Sequence, residues 1–224
     1  MKIAEVKEVM LKDGFSAELF EEFKLALRRV PPKNRSWHLY TFAHEIATEK
    51  GCFEGAVEMV RHALEACESS WVDTMGAYNS LASIYESREM YAEAYDAYES
   101  ELESIPEQHR ESYTAGISVR MIKAYLHVVN FKYTSRLREL YEAAEGVDGL
   151  EASFRSVIYY TAIAEMIISA EDGNKEAYRI ARSRAQSALD GEKISPVDLI
   201  LARHKYKNEA QATDASINFL RRAK

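Results

Sequence analysis

"YNSLASIYESREMYAEAYDAYESELESIP", residues 78–106, decides the fold. Apolar or small residues fall at 78, 81, 82 and 85, and again at 91, 94, 95, 98 and 102. Both sets keep the three-to-four spacing of a helix face, and neither alternates with the period of two that a strand needs. The polar "ESREM" between them carries no strand signal, and Pro106 closes the second run. The stretch therefore predicts a hairpin of two short amphipathic helices. Ala82 and Ala94 let the two backbones approach, while Tyr78, Leu81, Tyr85 and Tyr98 fill the space around them. A hairpin with apolar groups on more than one side cannot bury them alone, so a neighbouring hairpin must stack on it.

The neighbouring sequence supplies that partner. "WHLYTFAHEIATEKGCFEGAVEMVRHALEA" places Tyr40, Ala43, Ala47, Gly51, Phe53, Ala56, Val60, Ala63 and Leu64 at similar offsets. Upstream, Ile3, Val6, Met10, Gly14, Leu19, Phe23, Ala26, Leu27 and Pro31 repeat the pattern. The units start near residues 1, 37 and 75, the fixed period expected of a helical solenoid.

These residues resemble the tetratricopeptide repeat family, whose pattern of about 34 residues orders bulky, small and aromatic positions along a helix pair. Read from Met75, the chain matches that pattern at Tyr78, Leu81, Ala82, Tyr85, Ala94, Tyr98 and Pro106, and departs at Glu101, where alanine is expected. Read from Trp37 it matches at Tyr40, Ala56, Ala63 and Leu64, with His44 in place of a small residue. The first unit matches at Gly14, Phe23, Ala26, Leu27 and Pro31, with Leu19 replacing an alanine. The resemblance implies an all-α chain, folded as an α-solenoid of stacked antiparallel helix pairs in one right-handed superhelix. We read a single domain over 1–224, with units near 1–34, 37–70, 75–108, 117–150 and 158–191. Ser195 with Pro196 opens C-terminal capping helices over 195–223.

Composition agrees with a helical reading. Nine glycines and four prolines in 224 residues leave long stretches without a helix breaker. No apolar run approaches the roughly 18 residues of a membrane span, and "MKIAEVKEVMLKDG" lacks the apolar core of a signal peptide. Cys52 and Cys67 fit no zinc pattern and read as reduced thiols, which predicts a cytoplasmic protein. Charge is uneven: residues 1–110 carry 12 Lys and Arg against 21 Asp and Glu, and residues 111–224 carry 17 against 15. The acidic half argues against nucleic acid as the main partner.

Nothing in the sequence points to catalysis, a metal or a cofactor. "HEIAT" begins like a zinc-protease helix, but Thr48 stands where the second histidine must be. The six histidines are scattered, and there is no Gly-rich phosphate loop and no Gly-x-Ser-x-Gly.

The resemblance implies instead that the first helix of each pair lines a concave groove that holds a peptide or a partner helix. By register the inward positions are His38, Thr41, Glu45 and Thr48 in the second unit. In the third they are Gly76, Asn79, Ser83 and Glu86. Arg120, Lys123, His127 and Asn130 follow a 3, 4, 3 spacing that keeps them on one helical stripe. Such a stripe suits a partner segment bearing a carboxylate. The chaperone-binding subclass carries lysine and asparagine where this chain has Thr41 and Glu45, so no chaperone-tail ligand is implied. The expectation is a non-enzymatic protein- or peptide-binding scaffold, with a regulatory variant in which a small peptide changes the curvature of the stack. The alternative is an enzyme or enzyme subunit on a helical-repeat scaffold. Exposed end faces would also allow self-association.

Overall fold

The computed structural model describes residues 2–67, 70–145 and 155–190. The proposed capping helices over 195–223 lie outside the described residues. Ten helices and no strand are found among the described residues. They are α1 (Ile3–Asp13), α2 (Ala17–Leu27), α3 (Pro32–Lys50), α4 (Phe53–Glu65), α5 (Trp71–Glu86), α6 (Tyr91–Glu103), α7 (Glu107–Val128), α8 (Ser135–Ala144), α9 (Arg155–Glu171) and α10 (Lys175–Asp190). The chain divides into two compact units, Met1–Ile117 and Ser118–Lys224.

Local chemistry sets the helix ends. Ser16 and Ser70 accept from the backbone N–H groups of Leu19 (3.2 Å) and Asp73 (3.3 Å), capping α2 and α5. Pro31 and Pro32 open α3, where the missing N–H costs nothing, and Gly51 closes it at φ 61°, a left-handed conformation that glycine adopts without strain. In the second unit Thr134 caps α8 through Leu137 N–H (3.0 Å), and Asn174 Oδ1 accepts from Ala177 N–H (3.1 Å) at the start of α10.

In the first unit α1 packs on α2 and α3, α3 on α4 and α5, and α5 on α6. Val6, Met10, Phe20, Phe23, Phe42, Ile46, Met59 and Val60 form its fully buried centre. Burial of one such side chain contributes about 1.5–3 kcal/mol, so this cluster dominates the unit's stability. Ala82 and Ala94 are both fully buried, as the small-and-bulky alternation of 78–106 requires. Glu101, the departure from the repeat pattern, is also buried at 2% exposure and is engaged with other groups.

In the second unit α9 packs against α10, and α8 packs on α9. Ala181, Ala185 and Ala188 are buried with Tyr159, Ala162 and Met166, so an alanine face lets α9 and α10 lie close. Two ion pairs tie the elements: Arg138 on α8 to Asp172 after α9, and Arg184 on α10 to Glu165 on α9 (2.6 Å).

Candidate functional site

Two contacts fix how α3 and α5 lie. The Tyr40 ring covers Gly76, and Arg88 Nη2, just after α5, donates to the Gly51 carbonyl at the end of α3 (2.6 Å). Their sequence offsets are 36 and 37, so α3 and α5 run parallel and in step. At that offset Asn79 stands at a height between Thr41 and Glu45. The two polar stripes therefore lie side by side, with Thr41, Glu45, Asn79, Ser83 and Glu86 all half-buried.

The hydroxyls on these stripes are turned to their own helices. Thr41 Oγ1 donates to the Trp37 carbonyl (2.6 Å), and Ser83 Oγ donates to the Asn79 carbonyl (3.0 Å). Each hydroxyl has spent its proton and can only accept from a ligand. Glu86 is engaged elsewhere. The Asn79 amide differs: it makes no hydrogen bond among the described residues, and it offers both donor and acceptor. That pairing of functions matches a peptide backbone.

Beside this stripe, Lys7 of α1 extends over the Phe42 ring, with Nζ 4.5 Å from the centroid. Burial pushes the Lys7 ammonium below its ordinary range, and the facing Glu45 carboxylate partly opposes that. His38 stands edge-on to Trp37, with ring centroids 4.9 Å apart, and its Nδ1 is shielded from solvent. Desolvation and then the Lys7 charge hold the His38 pKa below the ordinary value, which favours the neutral ring.

The cationic stripe of the second unit departs from its expectation. Arg120, Lys123 and His127 do fall on α7, but all three are half-buried and engaged with other groups rather than standing free. Buried Val119, Met121, Ile122, Ala124 and Leu126 surround them on the helix. His127 packs edge-on against Phe131, with centroids 5.1 Å apart, and lies 5.9 Å from Tyr160. Asn130 does not belong to the stripe. The helix ends at Val128, and Asn130 (φ 50°) and Phe131 (φ 57°) turn the chain through left-handed conformations. Asn tolerates that region, so the residue that looked like a fourth helical position is a turn former.

Sequence reading also missed a cavity of about 290 Å³ among α8, α9 and α10, with Tyr141, Thr161 and Arg184 in its wall. Arg184 is already paired with Glu165, and burial together with Glu165 raises the Tyr141 phenol pKa. Arg184 is thus already neutralised, and Glu145 leaves the wall with a carboxylate and no free cation among the lining residues. No group of three or more His, Cys, Asp or Glu able to hold a metal occurs among the described residues, and no helix among them is long and apolar enough to cross a membrane. No family model, curated protein or solved structure matches the chain.

Proposed function

We propose that this chain is a non-enzymatic binding module of the cytoplasm: a tetratricopeptide-like right-handed stack whose α3 and α5 stripes hold a segment of a partner protein. The in-step, parallel placement of those two helices carries the reading, because it sets Asn79 between Thr41 and Glu45. A partner peptide lying across them gains backbone hydrogen bonds from the Asn79 amide, while Glu45 and Lys7 fix its polarity by charge. Hydroxyls that can only accept add discrimination in favour of donors on the ligand. The half-burial of these groups makes each contact worth more than at a flat surface, where exposed pairs contribute little.

The test is selection of a random peptide display library on the immobilised protein, followed by binding of the enriched peptides to an Asn79→Ala/Glu45→Lys double variant. Peptides selected on the parent should lose affinity roughly tenfold or more on the variant, the loss expected from a hydrogen bond to charge and a reversed pair. Equal affinity for both proteins places binding elsewhere and removes the reading.

A further inference from the structure

The corner between α2 and α3 is an island of positive charge. Residues 23–44 contain Lys24, Arg28, Arg29, Lys33 and Arg35 and no Asp or Glu. The unit around them, residues 1–117, carries 12 Lys and Arg against 22 Asp and Glu. The island is shaped as well as charged. Arg35 folds back over the α2 end, its Nε donating to the Val30 carbonyl (3.0 Å) and Nη2 to the Arg28 carbonyl (3.2 Å). That satisfies carbonyls left over at the helix terminus and holds the Pro31–Pro32 corner tight. Lys24 is occupied too, paired with Glu21 and lying over the Phe20 ring at 4.9 Å.

What remains is Arg28, Arg29 and Lys33, all exposed and in no ion pair among the described residues. Lys33 and Trp37 are four residues apart on α3 and so share a face. Trp37 is 50% exposed, uncommon for the largest apolar side chain. The positive end of α3 lies at the same corner and adds to the field.

We propose that this corner docks a short acidic peptide segment, its carboxylates pairing with Arg28, Arg29 and Lys33 and a neighbouring apolar side chain resting on the Trp37 ring. Arginine forks donate to carboxylates in two-point contacts, which favours this ligand class. The patch is also bounded. Glu21 and Glu22 lie about two turns back on α2 and Glu45 lies two turns on from Trp37, so a long nucleic acid or a planar anionic membrane would overlie acidic side chains. A few carboxylates on one segment fit inside the island. The corner adjoins the α3–α5 stripe, since Trp37 lies one turn before Thr41 and its carbonyl accepts from the Thr41 hydroxyl. Reversing Arg28, Arg29 and Lys33, none of which is a stripe residue, is what separates the two claims.

The test uses a fluorescein-labelled peptide of about a dozen residues, Glu- and Asp-rich with one central Leu, and reads anisotropy at low and high salt. Binding should appear near 50 mM salt and fall at least fivefold near 300 mM, because an exposed site is screened within a Debye length of about 6–14 Å over that range. An Arg28→Glu/Arg29→Glu/Lys33→Glu protein should bind about tenfold more weakly or worse, while a Lys2→Glu/Lys12→Glu control binds as the parent does. Unlabelled peptide should change the parent's tryptophan emission, and a Trp37→Phe protein should lose that response. Circular dichroism confirms that each variant is folded. Equal binding by the triple variant overturns the proposal. So does binding of phosphatidylserine vesicles or a single-stranded oligonucleotide at this corner with no binding of the acidic peptide.

Discussion

The phenol of Tyr40 lies across Gly76: a Cβ added at Gly76 would stand 2.9 Å from the Tyr40 Cζ and Oη. This close approach sets the spacing of α3 and α5, and with it the geometry of the candidate groove. The atoms that block the Cβ are the far end of a flexible side chain, which can swing. Gly76→Ala should therefore change stability by less than about 1 kcal/mol, since alanine's helix propensity offsets the adjustment.

Gly55 on α4 presents the opposite case. A Cβ there would run into the root of the Phe15 ring at Cγ, with both flanking ring carbons at 2.6 and 2.7 Å. The ring cannot swing clear without moving the α1–α2 connection. Gly55→Ala should cost about 1–3 kcal/mol despite the better helix former. Chemical denaturation of the two variants in parallel checks the contrast, and a Gly76→Ala loss equal to or larger than that of Gly55→Ala contradicts it.

Ala94 is fully buried against α5, so a larger residue there must force the two helices apart. Ala94→Leu should cost about 1–3 kcal/mol, and the melting temperature should fall by several degrees. A variant that melts within about a degree of the parent would mean that the α5–α6 contact has room to spare.

His38 should make the first unit sensitive to acid. Its folded-state pKa lies below the unfolded value of about 6.5. Above that value the ring is neutral in both states and there is no penalty. As pH falls through it, the unfolded chain takes up the proton before the native His38 does, and stability is lost until the native ring also protonates. Between about pH 8 and pH 5 the melting temperature of the parent should fall more than that of His38→Gln. Parallel curves would show that His38 contributes nothing to the slope.

Three hairpins of the first unit were legible in the sequence because their signal is periodic and redundant: Ala82, Ala94 and Tyr98 each mark a packed position, and Tyr40 and Tyr78 fall at equivalent places in successive units. The sequence register steps by 38 residues between the second and third units, whereas the contacts between α3 and α5 step by 36 and 37, because spacing along one helix does not fix the height of its neighbour. The second-unit stripe was not legible. A 3, 4, 3 spacing says only that residues share a face if the helix continues, and the end at Val128 depends on Asn130 and Phe131 taking left-handed conformations. Nor does spacing report what packs on a stripe, so the engagement of Arg120, Lys123 and His127 was invisible. The basic corner is readable only over a short window, because charge summed over half the chain hides an island of 22 residues.

We propose that a partner segment lies along α3 and α5. The most direct measurement is photo-cross-linking with a library-selected peptide that carries a benzophenone side chain, followed by mass spectrometry of the adducts. Adducts are expected on α3 and α5 at or beside Thr41, Glu45, Asn79 and Ser83, suppressed by excess unlabelled peptide. Competed adducts confined to the outer residues of α4 and α6, such as Glu58, Arg61 and Asp96, would contradict it.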